Sequence, residues 1–286
     1  MLEDVDIRVP QISCPGRLTL GNLPIYWQMI IASMRSRMEY KLSFIFMFFA
    51  LLVFYAGQVG VVVLIVTKFH HIAGWTLGEM AFLYGLLVFS QGLTAILFYS
   101  LNDFESYMIN GDFDRLLVRP LNPLGQIVSS KFEIASMAHF LIGTTALIFG
   151  AQKAGIDWTL GKVAYLPVVF IGAVLIQGGI RLAVSAVAFW TTRNSSLVHT
   201  VIYSSKEMIM YPVSIYKMWM QVFLTLVFPL AFVNFYPSHY FLNRGAGDLL
   251  FHPLIQYLTP LTGTIVFVFG YWLWNQGMVR YQSVGN

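Results

Sequence analysis

The chain has 286 residues, 57% of them hydrophobic and only 10% charged, with 17 basic residues against 13 acidic ones, a formal charge of +4 and a mean hydropathy of +0.69. A soluble domain carries about 25% charged residues and could not hide this much apolar surface, so a soluble enzyme is excluded. The single Cys14 leaves no disulfide framework and no cysteine-rich metal site, and no basic patch with interleaved stacking aromatics points to nucleic acid.

The apolar residues gather into runs of roughly 20, the length that crosses about 30 Å of hydrocarbon. Lipid offers no partner to unpaired backbone groups, so these runs must be helices, and the nearly continuous apolar stretch from Phe44 to Leu64 lacks the alternation of a barrel strand. The sequence thus predicts an all-α integral membrane protein with about six transmembrane helices.

Residues 1–42 read as a polar tail followed by an amphipathic helix lying in the membrane interface. Asn22 and Pro24 open that helix, Trp27, Ile30, Ile31, Met34 and Met38 recur at helical spacing, and Arg35, Arg37 and Lys41 suit anionic headgroups. A cytosolic lead-in to the first span is the alternative. Charges between Leu2 and Ile12 argue against a cleavable signal or a lipid anchor at Cys14. The transmembrane domain, 43–275, divides into spans at 43–67, 80–100, 134–150, 164–190, 218–235 and 259–275. A charged stretch, 101–133, separates the second span from the third, and a polar connector, 191–217, precedes the fifth. The aromatic stretch 236–258 is expected to dip into the interface as short external helices between spans five and six, and 276–286 forms a tail.

Lys and Arg accumulate beside cytoplasmic span ends. With six spans, one side holds Arg8, Arg17, Arg35, Arg37, Lys41, Arg115, Arg119, Lys131, Arg193, Lys206, Lys217 and Arg280, which is 12 of the 17. The other holds Lys68, Lys153, Lys162 and Arg244, and Arg181 lies within a span. Both termini are therefore expected in the cytoplasm, with the chain crossing the plasma (inner) membrane.

In the stretch 101–133, Gly111 and Asp112 supply a break and a helix start, and Pro120 and Pro123 stop the short helix between them. That helix would show exposed acid and base and an apolar stripe of Phe113, Leu116 and Leu117, suited to docking in a partner's groove. On physical grounds alone a plain structural loop is an equal alternative. The segment GDFDRLLVRPLNP resembles the signature that follows the second span in permeases of type 2 ATP-binding-cassette (ABC) exporters. Tyr211 and Pro212, then Phe228 to Phe232, then Tyr236 and Pro237 are similar to the same family, as is the six-span plan with its amphipathic opening helix. The resemblance implies that Gly111, Asp112, Phe113, Asp114, Arg115, Leu116, Leu117, Arg119 and Pro120 form a coupling helix seated on a separate nucleotide-binding ATPase, with Asp112, Asp114, Arg115 and Arg119 as polar contacts. It also implies a second permease chain, identical or related, and transport outward.

A phosphate-binding loop needs Gly, four residues, then Gly-Lys-Ser/Thr, and the nearest string, Gly155 to Val163, has one residue too many and ends in Val. The chain is thus expected to be non-catalytic and to bind no cofactor directly, with ATP and magnesium held by the ATPase. His70 and His71 are adjacent and lack partners for a metal site. Arg181 is the foremost candidate for the translocation path, although it could meet a partner acid or reach the interface; Gln91 and Gln177 could line that path or act as polar glue between helices. His139 reads as packed and neutral. A secondary transporter or channel is the alternative function, though neither an inverted repeat nor an acidic relay is visible; a sensor or scaffold is a third.

Overall fold

The computed structural model describes residues 22–39, 41–69, 73–131, 133, 136–245, 247 and 249–283. The tail with Cys14 and the His70–His71 pair lie outside them. The described residues form helices joined by turns, without a strand. In chain order these are α1 (Leu23–Glu39), α2 (Lys41–Phe69), α3 (Leu77–Phe98), α4 (Phe104–Ile109), α5 (Asp112–Leu117), α6 (Pro123–Ser130), α7 (Met137–Lys153) and α8 (Leu160–Thr191). They are followed by α9 (195–208), α10 (Met218–Val227), α11 (Leu230–Phe241) and α12 (Thr259–Arg280).

Two helical runs, Leu77–Ile109 and Leu160–Thr191, are long and apolar enough to cross a membrane, and the pair α10 and α11 adds a third if it is read as one bent span. Ile45–Val61 within α2 is a shorter apolar helix. The outer faces are apolar as well: Phe46 is 67% exposed, Val53 72% and Ile265 61%. A surface of that kind needs lipid or another chain to cover it.

Two departures from the expected plan shape the interior. The fifth span is not one helix over 218–235. α10 widens into a π-helical turn at Phe223–Val227, then breaks at Phe228–Pro229, and α11 leaves at 79°, because Pro229 has no N–H to continue the ladder. The polar connector 191–217, expected on the cytoplasmic side, is not a simple loop either. Its Ser195–Leu197, Val198–Ser204 and Ser205–Met208 join into the continuous helix α9, π-helical in its middle. Val198 and Ile202 of α9 are buried against Ile180 and Val184 of α8. The hydropathy of α9 averages to polar because serines, a histidine and a lysine occupy its other faces.

Glycines at seven-residue intervals set the main helix contacts. Gly78, Gly85 and Gly92 of α3 meet α7 in antiparallel order, Gly85 against Leu147 and Gly92 against His139. Gly172 and Gly179 of α8 meet Gly263 and Gly270 of α12 in parallel order, and Gly277 meets Phe189. A Cβ on Gly85 would come within 2.7 Å of the Leu147 backbone nitrogen, and one on Gly263 within 2.5 Å of the Gly172 carbonyl oxygen. Small residues allow backbones this close, and in lipid such contact is a main source of helix association. Because α8 and α12 run parallel, the chain between them must return from one end of the bundle to the other, which α9, α10 and α11 accomplish together.

Gly270→Val is expected to force α12 off the Gly179 carbonyl and to lower the melting temperature in mild detergent by several degrees, overpacking costing about 1–3 kcal/mol. Gly57→Val, where a Cβ has nothing within 4 Å, serves as the control. Equal melting of the two variants by size-exclusion fluorescence would contradict the packing described.

Candidate coupling helix and intramembrane cavity

Gly111, at φ +70°, takes the left-handed conformation that turns the chain out of α4 and into α5. The apolar stripe of α5 then faces the bundle rather than a partner, which corrects the docking role expected for it. Phe113 is fully buried, with ring centroids 5.5 Å from Phe104, 5.3 Å from Phe189 and 4.8 Å from Tyr281. Leu116 is buried in the same cluster with Trp274, and Leu117 packs at its edge. The physical reason is amphipathicity: a six-residue helix has one apolar side, and here the bundle supplies the nearer apolar surface. Gln126 of α6 secures the far end of α5, its amide donating to the carbonyls of Leu116 at 3.0 Å and Leu121 at 3.2 Å.

The polar residues of α5 divide between two surfaces. Asp114 turns back, accepting the Tyr281 hydroxyl at 2.9 Å and the Ser283 hydroxyl at 2.6 Å. Burial and this bond to a carboxylate push the Tyr281 phenol up to about 12. Arg115 lies 3.5 Å from Asp112 with its side chain 82% exposed, and Val118, Arg119 and Pro120 are exposed beside it. α1 closes the other flank: Tyr26 accepts the Asn122 N–H at 3.1 Å, with its ring against Gly125.

α4 links this surface to α9. Glu105 accepts the backbone N–H groups of Asn194, the residue before α9, at 2.7 Å, and of Ser195, its first residue. Partial burial alone would raise the Glu105 carboxyl, but these two amides, with Arg193 close by, hold it below the usual carboxylate range. A carboxylate at a helix N-terminus also complements the helix dipole. Asn194 adds a bond from its side-chain amide to the Val184 carbonyl at 3.0 Å, tying the start of α9 to α8.

Inside the bundle, the three residues proposed from sequence for a path converge. Gln91, Gln177 and Arg181 line one small cavity of about 20 Å³ between α3, α8 and α9, room for a water molecule or so. Gln177 donates to the Ser90 hydroxyl at 2.9 Å, and Arg181 to the Gln177 carbonyl at 3.3 Å. The Arg181 Nε is buried with no hydrogen-bond partner.

The sequence reading missed Lys206, which it placed among cytoplasmic charges. Lys206 lines the same cavity as Arg181, and its ammonium lies 5.7 Å from the Phe54 ring centroid and 5.9 Å from that of Tyr55. The signal that could have found it is the apolar spacing Val198, Ile202, Ile209, a buried stripe that makes 195–208 a helix inside the bundle. A neighbouring small cavity brings Tyr55, Gln58, Tyr84 and Glu207 to Gln91 and Lys206. Tyr55 bonds His139 at 2.6 Å, so that histidine is packed against α2.

At the opposite end two cations are held within the chain. Arg244 bonds Glu79 at 2.8 Å and covers the Trp75 ring, while Glu79 completes a capping box with Thr76. Lys162 is buried and donates to the Phe241 carbonyl at 2.8 Å.

A bundle of apolar helices with a fastened helix at one end and a polar cavity within it has the construction of a membrane permease. Residues 52–285 match the family model described as ABC-2 family transporter protein, and the chain belongs to that family of type 2 ABC transporter permeases. Neither a curated protein nor a solved structure matches it.

Glu105→Ala is expected to speed amide hydrogen exchange across 194–200, with α3 unaffected, as read by mass spectrometry after correction for intrinsic rates. A folded-state carboxyl held below its unfolded value stabilises above the ordinary carboxylate range and loses that effect as pH falls through the lowered value. Wild-type protection of the segment should follow that course, and Glu105→Ala should abolish the dependence.

Proposed function

We propose that the chain is the membrane-spanning subunit of an ATP-driven exporter, in which a separate nucleotide-binding ATPase presses on α5 and a second permease chain, identical or related, completes the path. In this reading the chain crosses the plasma (inner) membrane six times with both termini in the cytoplasm, and α1 lies in the interface. The chain itself is non-catalytic and binds no cofactor; ATP and magnesium belong to the ATPase. The outward direction rests on the family resemblance.

One observation carries the reading. α5 is locked to the bundle by Phe113, Leu116 and Asp114 while Arg115, Val118, Arg119 and Pro120 point away from it. A helix built that way can transmit a push without peeling off. The neighbouring α4 holds the start of α9 through Glu105, and Lys206 lies eleven residues further along α9, about 16 Å away at 1.5 Å per residue. A displacement of α4 and α5 therefore reaches the cavity along one continuous helix, shifting Lys206 relative to Arg181 on α8.

The test is a mild-detergent pulldown of the tagged chain from its native membranes, compared with Arg115→Glu plus Arg119→Glu. Wild type should recover a nucleotide-binding ATPase, and the double variant should lose about 90% or more of it while staying monodisperse, as expected for charge reversal at a docking surface. Asp114 is left intact because it holds Tyr281. Failure to recover any ATPase with wild type under several mild conditions defeats the exporter reading; full recovery by the variant moves the docking surface off α5.

A further inference from the structure

We propose that the cavity between α3, α8 and α9 seats an anionic headgroup, and that the molecule carried is an amphipathic anion, a phosphate or carboxylate on an apolar chain. The inference rests on the transporter reading and names its cargo. Two cations, Arg181 and Lys206, reach one cavity from different helices. Among the described residues neither has an ion-pair partner, and the Arg181 Nε makes no hydrogen bond at all. Glu207 is the one acid lining the adjoining cavity, and it is itself exposed.

Cations within the hydrocarbon region are costly and are kept where something repays the cost. At the opposite end Arg244 is repaid by Glu79 and Lys162 by a carbonyl at 2.8 Å. At the cavity Arg181 has one carbonyl, that of Gln177 at 3.3 Å, and Lys206 the rings of Phe54 and Tyr55, with no acid in ion-pair range of either among the described residues. What surrounds them are neutral amides and hydroxyls, Gln91, Gln177 and Ser205, which can donate to an anion's oxygens. The planar guanidinium fork of arginine fits a carboxylate or phosphate with two parallel bonds, and lysine adds a point charge.

The apolar half of the ligand has a place beside this seat. A groove of about 440 Å³ runs between α8, α10 and α12, lined by Gly179, Ile180, Val184, Phe228, Phe232 and Val266. Ile180 belongs to both the groove and the cavity wall, so headgroup seat and chain groove adjoin at that residue. In the form described the cavity admits only water, and a headgroup requires α9 to swing away from α8. That is the motion the Glu105 clamp would impose, which places headgroup capture under the control of α5.

The experiment uses the chain purified with its native partners in phosphatidylcholine nanodiscs, titrated while its melting temperature is followed. Three probes are compared: dodecyl phosphate, inorganic phosphate and dodecyltrimethylammonium. Dodecyl phosphate should give a saturable rise, needing about tenfold higher concentration in Arg181→Gln and in Lys206→Gln, a change worth about 1.4 kcal/mol. Arg181→Lys and Lys206→Arg should bind within about threefold of wild type, which separates lost charge from lost fold. The inference is overturned if the two neutral variants bind dodecyl phosphate as wild type does, if the cationic amphiphile binds as tightly, or if inorganic phosphate alone does so, which would make the ligand a free anion. A copurifying ATPase with no anion effect removes this inference alone. Absence of the ATPase removes the exporter reading, and the titration still decides the headgroup site by itself.

Discussion

Close approach of helix backbones is the constraint on which this bundle depends. In hydrocarbon an apolar side chain gains little by leaving lipid for protein, so helices associate through dense packing and the few polar bonds they can share. The glycines of α3 against α7, and of α8 against α12, bring backbones so near that a single Cβ would collide with the neighbouring chain. Their seven-residue spacing keeps one face in contact over several turns. With two pairs fixed in this way, antiparallel and parallel, the less regular chain after 191 is held between them, and the cavity that Arg181 and Lys206 share lies where it meets α3 and α8.

Where each charge finds its partner separates the two ends of the molecule. Around Trp75 the guanidinium of Arg244 meets Glu79, and Lys162 meets the carbonyl of Phe241, so those groups fasten α3, α8 and α11 and are fully occupied. Around Leu101, Phe104 and Phe113 an aromatic cluster does the fastening, and Asp103 pairs with Lys131 at 2.9 Å. Midway, Arg181 and Lys206 line one cavity with no acid in ion-pair range of either among the described residues. A cation at membrane depth costs more than an apolar side chain would, so their charge answers to something beyond packing.

Much of this was legible from residue types, for reasons that can be stated. Long apolar runs locate α2, α3, α7, α8 and α12 because lipid permits no other backbone, and Gly111, Pro120 and Pro123 frame α5 through their own backbone limits. Gln91, Gln177 and Arg181 were singled out by asking which polar groups lie at membrane depth, but that they line one cavity was not legible. Hydropathy failed at 191–217, where a one-sided helix averages to polar and a lysine was counted with the solvent-facing charges. It failed again at Phe228–Pro229, where an apolar run hides a 79° break. The stripe of Phe113, Leu116 and Leu117 was recognised as apolar, but no sequence pattern says whether such a face meets a partner or its own bundle. The heptad glycines stand in the sequence but were not used in reading it, and they mark the two closest helix pairs.

The π-helical stretch Val198–Ser204 gives the route from α5 to the cavity its mechanical character. π-turns are rare, interrupt the regular ladder and favour functional positions, and this one lies between the Glu105 clamp and Lys206. A regular helix locked along its whole length to α8 would move with α8 and leave the cavity unchanged. Here the start of α9 is bound to α4 and α8, two side chains, Val198 and Ile202, hold its middle, and the loosened ladder between them lets the far end turn. Rotation about that segment would change the spacing of the two cations. Bringing like charges together or apart, in a region with little water to screen them, changes the affinity for an anion steeply, so a small movement at Glu105 is enough to switch the cavity between holding a headgroup and releasing it.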